Sequence, residues 1–297
     1  MAVDKNSLPD EYKEIWDELI MPVDTNISFD KVILSDENKA KYNAFIKEQE
    51  YRDKLYSYGL EPMNRLLLYG ASGTGKTFSL KALSNLLGYT MLYVDISKAL
   101  SDGNVAQNIS DIFKLGNYLG NCIIFFDECD AIAWNRDAGN ADSGTVRRAT
   151  NSIFQQLDQM NHTNIFAAAT NMLHRLDPAF ERRFNLKLMF TRPNLDIDEC
   201  IRHFIYPKFL INDDVDDTVR EIVKRRSKQY AKLSYYEIEE LIKRAMKRSV
   251  LNDTNIINTS DVYQDLTVAM NFKIKVGTGT DSPDIFENKN HFDPSYN

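Results

Sequence analysis

Residues 70–77 read GASGTGKT, directly between the apolar run RLLLY and the helical run FSLKALSNLL. Gly70, Gly73 and Gly75 allow positive φ and let a ligand come close to the backbone. Successive N–H groups in such a turn converge on one concavity, to which the next helix adds its unpaired N–H groups and positive dipole end. Lys76 adds a full positive charge, and the Thr77 hydroxyl suits a magnesium ion. Gly70, four further residues, then Gly75-Lys76-Thr77 is the phosphate-binding loop pattern in a strand–loop–helix setting. With Ala71, Ser72, Thr74 and Phe78 the segment is expected to bind a nucleoside triphosphate. A surface turn of chance composition is the competing reading, and the context disfavours it.

CIIFFDECD, residues 122–130, carries the next candidate chemistry. An apolar strand ending in Asp127 and Glu128 delivers two carboxylates to one sheet edge. Asp127 can hold the magnesium ion that bridges phosphates, and Glu128 can orient or deprotonate the attacking water. Alone, an acidic strand end reads as an exposed turn; a phosphate loop upstream reverses that preference.

These residues need a scaffold, and the pattern supplies one. RLLLYG (65–70), TMLYVD (90–95), CIIFFD (122–127), NIFAAAT (164–170) and LKLMF (186–190) read as buried strands. FSLKALSNLLG, VAQNISDIFKLGNYLG and VRRATNSIFQQLDQM read as the helices between them. Alternating strands and helices with near-continuous apolar strands predict an α/β fold, a parallel sheet with helices on both faces. Ligands bind beyond the carboxyl ends of such strands. Ahead of this core, SDENKAKYNAFIKEQEYRDKLYSYG reads as a helix capped by Ser35. After Pro193 no strand-like run is evident, which predicts a small all-helical domain. The expected divisions are an N-terminal extension 1–28, a large nucleotide-binding domain 29–193, a helical lid 194–271 and a disordered polar tail 272–297.

The chain has 297 residues, 43% of them hydrophobic, enough for a real core. Its net charge of −7 disfavours nucleic acid as a partner. The N-terminal stretch MAVDKNSLPDEYKEIWDELI is charged and amphipathic, unlike a signal peptide. No run approaches the roughly 18–20 apolar residues of a spanning helix. Cys122, Cys129 and Cys200 lack metal-ligand spacing and read as reduced structural thiols. A soluble, cytoplasmic protein with no membrane contact is expected.

The ordered set of motifs resembles the AAA+ ATPases, closest to the AAA branch of ring-forming protein remodellers, over about residues 28–270. GASGTGKT then corresponds to the Walker A motif and IIFFDECDA to the Walker B motif of a P-loop NTPase. The resemblance places Val32 and Ile33, in FDKVILSDENKAK, beside the adenine. It places Asn171, ending AAATN, at the sensor-1 position, where a neutral donor can hold the attacking water or the γ-phosphate. Arg182 and Arg183, in LDPAFERRF, take the arginine-finger position, which faces a neighbouring subunit's nucleotide. Arg147 and Arg148 match a basic pair near subunit contacts or are bland surface residues. The implied cofactors are ATP and Mg2+, and the implied partners are further copies of the chain, hexameric in the family, and a protein substrate.

Two departures stand out. Threading members carry an aromatic pore loop after the second strand, where this chain aligns Ser101, Asp102 and Gly103, with Leu100 as the only apolar grip. The lid helix begins Ser234-Tyr235-Tyr236-Glu237-Ile238 instead of Ser-Gly-Ala-Asp-Leu, so its tyrosines either stack by the adenosine or pack in the lid, and no sensor-2 arginine is assigned. The short helix in PDEYKEIWDELI either docks a partner or packs on its own core. The resulting expectation is Mg-dependent ATP hydrolysis coupled to remodelling of a protein partner. A nucleic-acid motor or loader and an ATP-gated assembly scaffold are the alternatives.

Overall fold

The computed structural model describes residues 5–101, 104–132, 143–192, 197–229 and 233–277. It contains two compact units, Met1–Thr191 and Arg192–Asn297.

The first unit opens with α1 (Asp10–Leu19) and the two-residue strand β1 (Ile20–Met21). Neither ends as a loose arm. Tyr12, Ile15 and Trp16 of α1 lie against a large core cluster, and Leu19 and Ile20 are buried within it. Next come α2 (Asp36–Glu50) and α3 (Arg52–Ser57). Ser35 caps α2 as expected, its Oγ accepting the Asn38 N–H at 3.2 Å. The alternating section then runs β2 (Arg65–Gly70), α4 (Lys76–Leu87), β3 (Thr90–Val94), α5 (Ile96–Ala99), α6 (Val105–Leu119) and β4 (Cys122–Phe126). It continues through α7 (Ser143–Gln159), β5 (Ile165–Thr170), α8 (Pro178–Glu181) and β6 (Leu186–Phe190).

All five expected strands join one six-stranded sheet of order β1-β3-β4-β5-β2-β6. β2 through β6 are parallel to their neighbours; β1 is antiparallel to β3. The strict expectation of a parallel sheet is therefore corrected at one edge. Two residues carry no readable period, so sequence pattern had no means of showing β1.

Alternation divides each strand between two cores. Leu67, Leu92, Ile124, Phe126 and Phe166 face the side holding α1, α6 and α7. Leu66, Leu68, Ile123, Phe125 and Leu188 face the side holding Tyr42 and Phe45 of α2 and Leu80 and Leu83 of α4. Burial on both faces explains the near-continuous apolar strands. β6 ends the sheet, and α2 lies along it: Asn38 Nδ2 donates to Met189 O at 2.8 Å and Lys41 Nζ to Lys187 O at 3.1 Å.

The second unit contains α9 (Ile197–Phe204), β7 (Leu210–Asn212), α10 (Asp217–Gln229), α11 (Tyr235–Leu251), β8 (Ile256–Asn258) and α12 (Thr259–Gly277). Its core gathers Ile201, Val223, Ile242, Met246 and Leu266. It is not all-helical, because β7 and β8 form a parallel two-stranded pair. Each strand is three residues set in polar sequence, too short for a period to register. α11 starts with a capping box: Ser234 Oγ accepts the Glu237 N–H at 3.3 Å, and Glu237 Oε2 accepts the Ser234 N–H at 2.7 Å. The Ser-x-x-Glu spacing was the available signal for it. Tyr235 is half-buried, and burial, followed by Cys200 and Glu199, pushes its phenol up to about 12. Tyr236 is 61% exposed.

Leu19→Ala tests whether the N-terminal helix belongs to the core. Its burial predicts a loss of about 2–4 kcal/mol in urea unfolding. A docking arm would lose almost nothing.

Candidate nucleotide site at the strand ends

The phosphate loop connects β2 to α4 on the face of the sheet that α4 covers. Gly70 ends β2 with φ +139°, opposite Phe190 of β6. A Cβ there would lie 1.9 Å from the Phe190 carbonyl oxygen, so no side chain fits. Gly75, at φ +100°, caps the N-terminus of α4 in a conformation that L side chains rarely adopt. The buried Thr74 braces the turn, its Oγ1 donating to Ala71 O at 2.8 Å. Ser72 is exposed and Phe78 is 39% exposed.

Lys76 is buried, and its ammonium is held by three oxygens: Gly70 O at 2.8 Å, Ala71 O at 2.8 Å and Asn171 Oδ1 at 2.7 Å. Burial lowers its pKa, while Asp127, Asp130 and Glu128 act in the opposite direction. Asn171 directly follows β5, which pairs with β2, so Lys76 and Asn171 meet through strand adjacency.

Thr77, in the first turn of α4, donates from Oγ1 to Asp127 Oδ2 at 2.7 Å. Asp127 follows β4, and its Oδ1 accepts the Glu128 N–H at 3.0 Å. Glu128 is exposed, with φ at +51°. A non-glycine residue in that region costs free energy and commonly marks a functional turn. One turn further on, Asp130 Oδ1 accepts the Thr170 hydroxyl at 2.8 Å, and Thr170 Oγ1 accepts the Met172 N–H at 2.9 Å. This pair ties the turn after β4 to the end of β5 on either side of Asn171. Tyr93 OH, from β3, donates to Asp127 Oδ2 at 3.0 Å. Sequence reasoning passed over Tyr93, Asp130 and Thr170. Only Asp130 carried a hint, as the third acid of DECD.

Lys76, Thr77, Asp127, Glu128 and Asn171 thus come together at one sheet edge. Val32 is buried and Ile33 half-buried, after a turn at Phe29–Lys31. That segment is tied to α4 by Asn85 Nδ2, which donates to Ile27 O at 3.0 Å. Among the described residues, Arg182 and Arg183 follow α8 and make no hydrogen bond or ion pair with the phosphate loop. Arg182 is exposed. Arg183 is engaged with α7: its guanidinium donates to Asp158 Oδ1 at 2.9 Å and lies 4.9 Å from the Phe154 ring centroid. Arg147 and Arg148 are exposed on α7. Asp102 and Gly103 lie outside the described residues. Leu100 is not a free apolar grip, because it packs partly against the core cluster on the α6 face.

The residues fit a nucleotide with a divalent cation. The turn has positive-φ glycines, a buried ammonium and a helix start, and the cation side offers the hard oxygens of Thr77 and Asp127. Among the described residues no group of three or more His, Cys, Asp or Glu side chains could hold a metal by itself. Magnesium usually takes one or two protein oxygens together with phosphates, which suits a pair such as this one.

Comparison with known proteins agrees with this geometry. Residues 66–192 match the family model described as "ATPase family associated with various cellular activities (AAA)". These residues therefore carry an AAA ATPase family domain. An uncharacterized AAA family ATPase of Sinorhizobium fredii is 29% identical over 237 residues, 79% of this chain and 69% of that protein. Proteasome-activating nucleotidase 1 of Haloferax volcanii is 33% identical over 165 residues, 53% of this chain and 41% of that one. A cell division control protein 48 homolog of Arabidopsis thaliana is 30% identical over 197 residues, 64% of this chain and 24% of that one. Two of these three alignments therefore cover less than half of the relative. Among the described residues, no helix is long and apolar enough to cross a membrane.

Lys76→Ala removes the charge that faces the phosphates and is expected to weaken binding of a fluorescent ATP analogue at least about tenfold. Gly70→Ala forces β6 away from β2 and is expected to abolish binding. Unchanged affinity in both would refute the assignment of this turn.

Proposed function

We propose that the chain hydrolyses ATP with Mg2+ and couples the cycle to remodelling of a protein partner, as a homo-oligomeric ring. The convergence of Lys76, Thr77, Asp127, Glu128 and Asn171 on one strand edge carries the reading. The loop N–H groups and Lys76 would bind and orient the phosphates. Thr77 and Asp127 would hold the cation, which supplies charge neutralisation at the β- and γ-phosphates. Exposure suits Glu128 to meet a water and take its proton. Lys76 already occupies Asn171 Oδ1, so the amide's N–H donors are left to hold that water or the terminal phosphate. Val32 and Ile33 would line the base.

The finger role falls to Arg182 on this reading. Arg183 spends its guanidinium on Asp158 and Phe154, which suits it to brace the turn that presents Arg182. A finger acting on a neighbour's site requires assembly, and the hexamer of the family is the expected ring. A protein partner agrees with the net charge of −7 and with the proteasome-activating relative.

Glu128→Gln is expected to keep nucleotide binding while lowering turnover at least about a hundredfold, measured as phosphate release, since an amide cannot accept the proton. Normal turnover would remove Glu128 from the mechanism. Arg182→Ala is expected to bind ATP normally yet hydrolyse it slowly. Mixing it with Lys76→Ala should recover part of the activity, because mixed assemblies contain interfaces with one intact site and one intact arginine. Activity per chain that is independent of concentration, with no recovery on mixing, would sink the oligomeric reading.

A further inference from the structure

Tyr93 has no part in the reaction described above, yet it is placed at its centre. The β3–β4 register sets Tyr93 beside Phe125, two residues before Asp127, with both rings on the face of the sheet that α4 covers. The Tyr93 and Phe125 rings pack with centroids 5.2 Å apart. That contact aims the phenol along the strand toward the sheet's carboxyl edge, where it meets Asp127 Oδ2 at 3.0 Å.

Among the described residues, Asp127 receives three hydrogen bonds. Oδ2 accepts from Tyr93 and from Thr77 at 2.7 Å, and Oδ1 accepts the Glu128 N–H at 3.0 Å. The last torsion of an aspartate is broad, so rotamer preference alone does not set the carboxylate plane. Hydrogen-bond donors do. The Glu128 N–H belongs to the same turn and moves with Asp127, and Thr77 arrives from the first turn of α4. Of these three donors, Tyr93 alone reaches the carboxylate from a neighbouring strand of the sheet. A phenol is protonated at neutral pH and so serves as the donor to this carboxylate.

We infer that Tyr93 is a positioning residue for the cation side of the site: it fixes the Asp127 carboxylate against Thr77 and so sets the affinity for the divalent ion that accompanies the nucleotide. This rests on the reading that Thr77 and Asp127 hold that ion. Outer partners that orient a ligating carboxylate commonly contribute one to two orders of magnitude in metal affinity.

The test uses the full chain with Mn2+ as the probe, titrated in the presence of saturating ADP and followed by electron paramagnetic resonance. ADP binding in EDTA is measured in parallel. Tyr93→Phe retains the ring against Phe125 and deletes only the donor. It is expected to raise half-saturating Mn2+ about tenfold while metal-free ADP affinity stays within about twofold. An equal loss of metal-free ADP binding would show that Tyr93 merely supports the fold, and would overturn the inference. Asp127→Asn separates the two layers of the argument. If it weakens Mn2+ binding while Tyr93→Phe does not, the positioning role is wrong and the cation site stands. If Asp127→Asn leaves Mn2+ binding unchanged, the cation site itself is misassigned and the inference falls with it.

Discussion

A sheet covered on both faces leaves only its strand ends for chemistry. In unit Met1–Thr191, Leu66, Leu67 and Leu68 of β2 are fully buried, and so is every residue of β4. No polar group can be introduced along those strands without losing its hydration. Functional groups must therefore lie just past the last strand residue, as Asp127 and Asn171 do, or at the start of the helix that the next loop feeds, as Lys76 does. The spacing between them is set by strand separation, roughly 4.8 Å per neighbour. This is short enough for side chains on β2, β4 and β5 to share hydrogen bonds without any one of them being distorted.

The same edge is where the backbone departs from ordinary conformations. Gly70 and Gly75 are glycines because a close carbonyl and a positive φ exclude other residues there. Glu128 takes a positive φ without that freedom. The conformation is held by what surrounds it: its own N–H is bound by Asp127, and its carbonyl accepts the Ala131 N–H at 3.0 Å. The carboxylate can stay exposed because the backbone beneath it is fixed.

Much of this was legible in the sequence, for identifiable reasons. Long apolar runs gave β2 to β6 within a residue or two, since doubly buried strands must be apolar throughout. The phosphate loop was legible because backbone geometry dictates its glycines. The contacts between strands were not legible. Tyr93 looks like any half-buried aromatic until the β3–β4 register sets it against Asp127. Leu100 looks like a free apolar side chain until the α6-side core takes part of it. The two arginines after α8 are indistinguishable in sequence, and it is Asp158 and Phe154, earlier on α7, that give Arg183 surroundings unlike those of the exposed Arg182. β1, β7 and β8 are two or three residues long and carry no pattern at all.

The hem along β6 bears on how copies of this chain can meet. A last strand with bare carbonyls would recruit a strand from another molecule, and pairing of that kind propagates into aggregates. Here Asn38 and Lys41 occupy two of those carbonyls, and the opposite border is closed by a strand only two residues long. Neither border offers a ladder long enough to extend. Molecules held side by side at high local concentration would then touch through side chains and loops, reversible contacts that do not zip into a shared sheet.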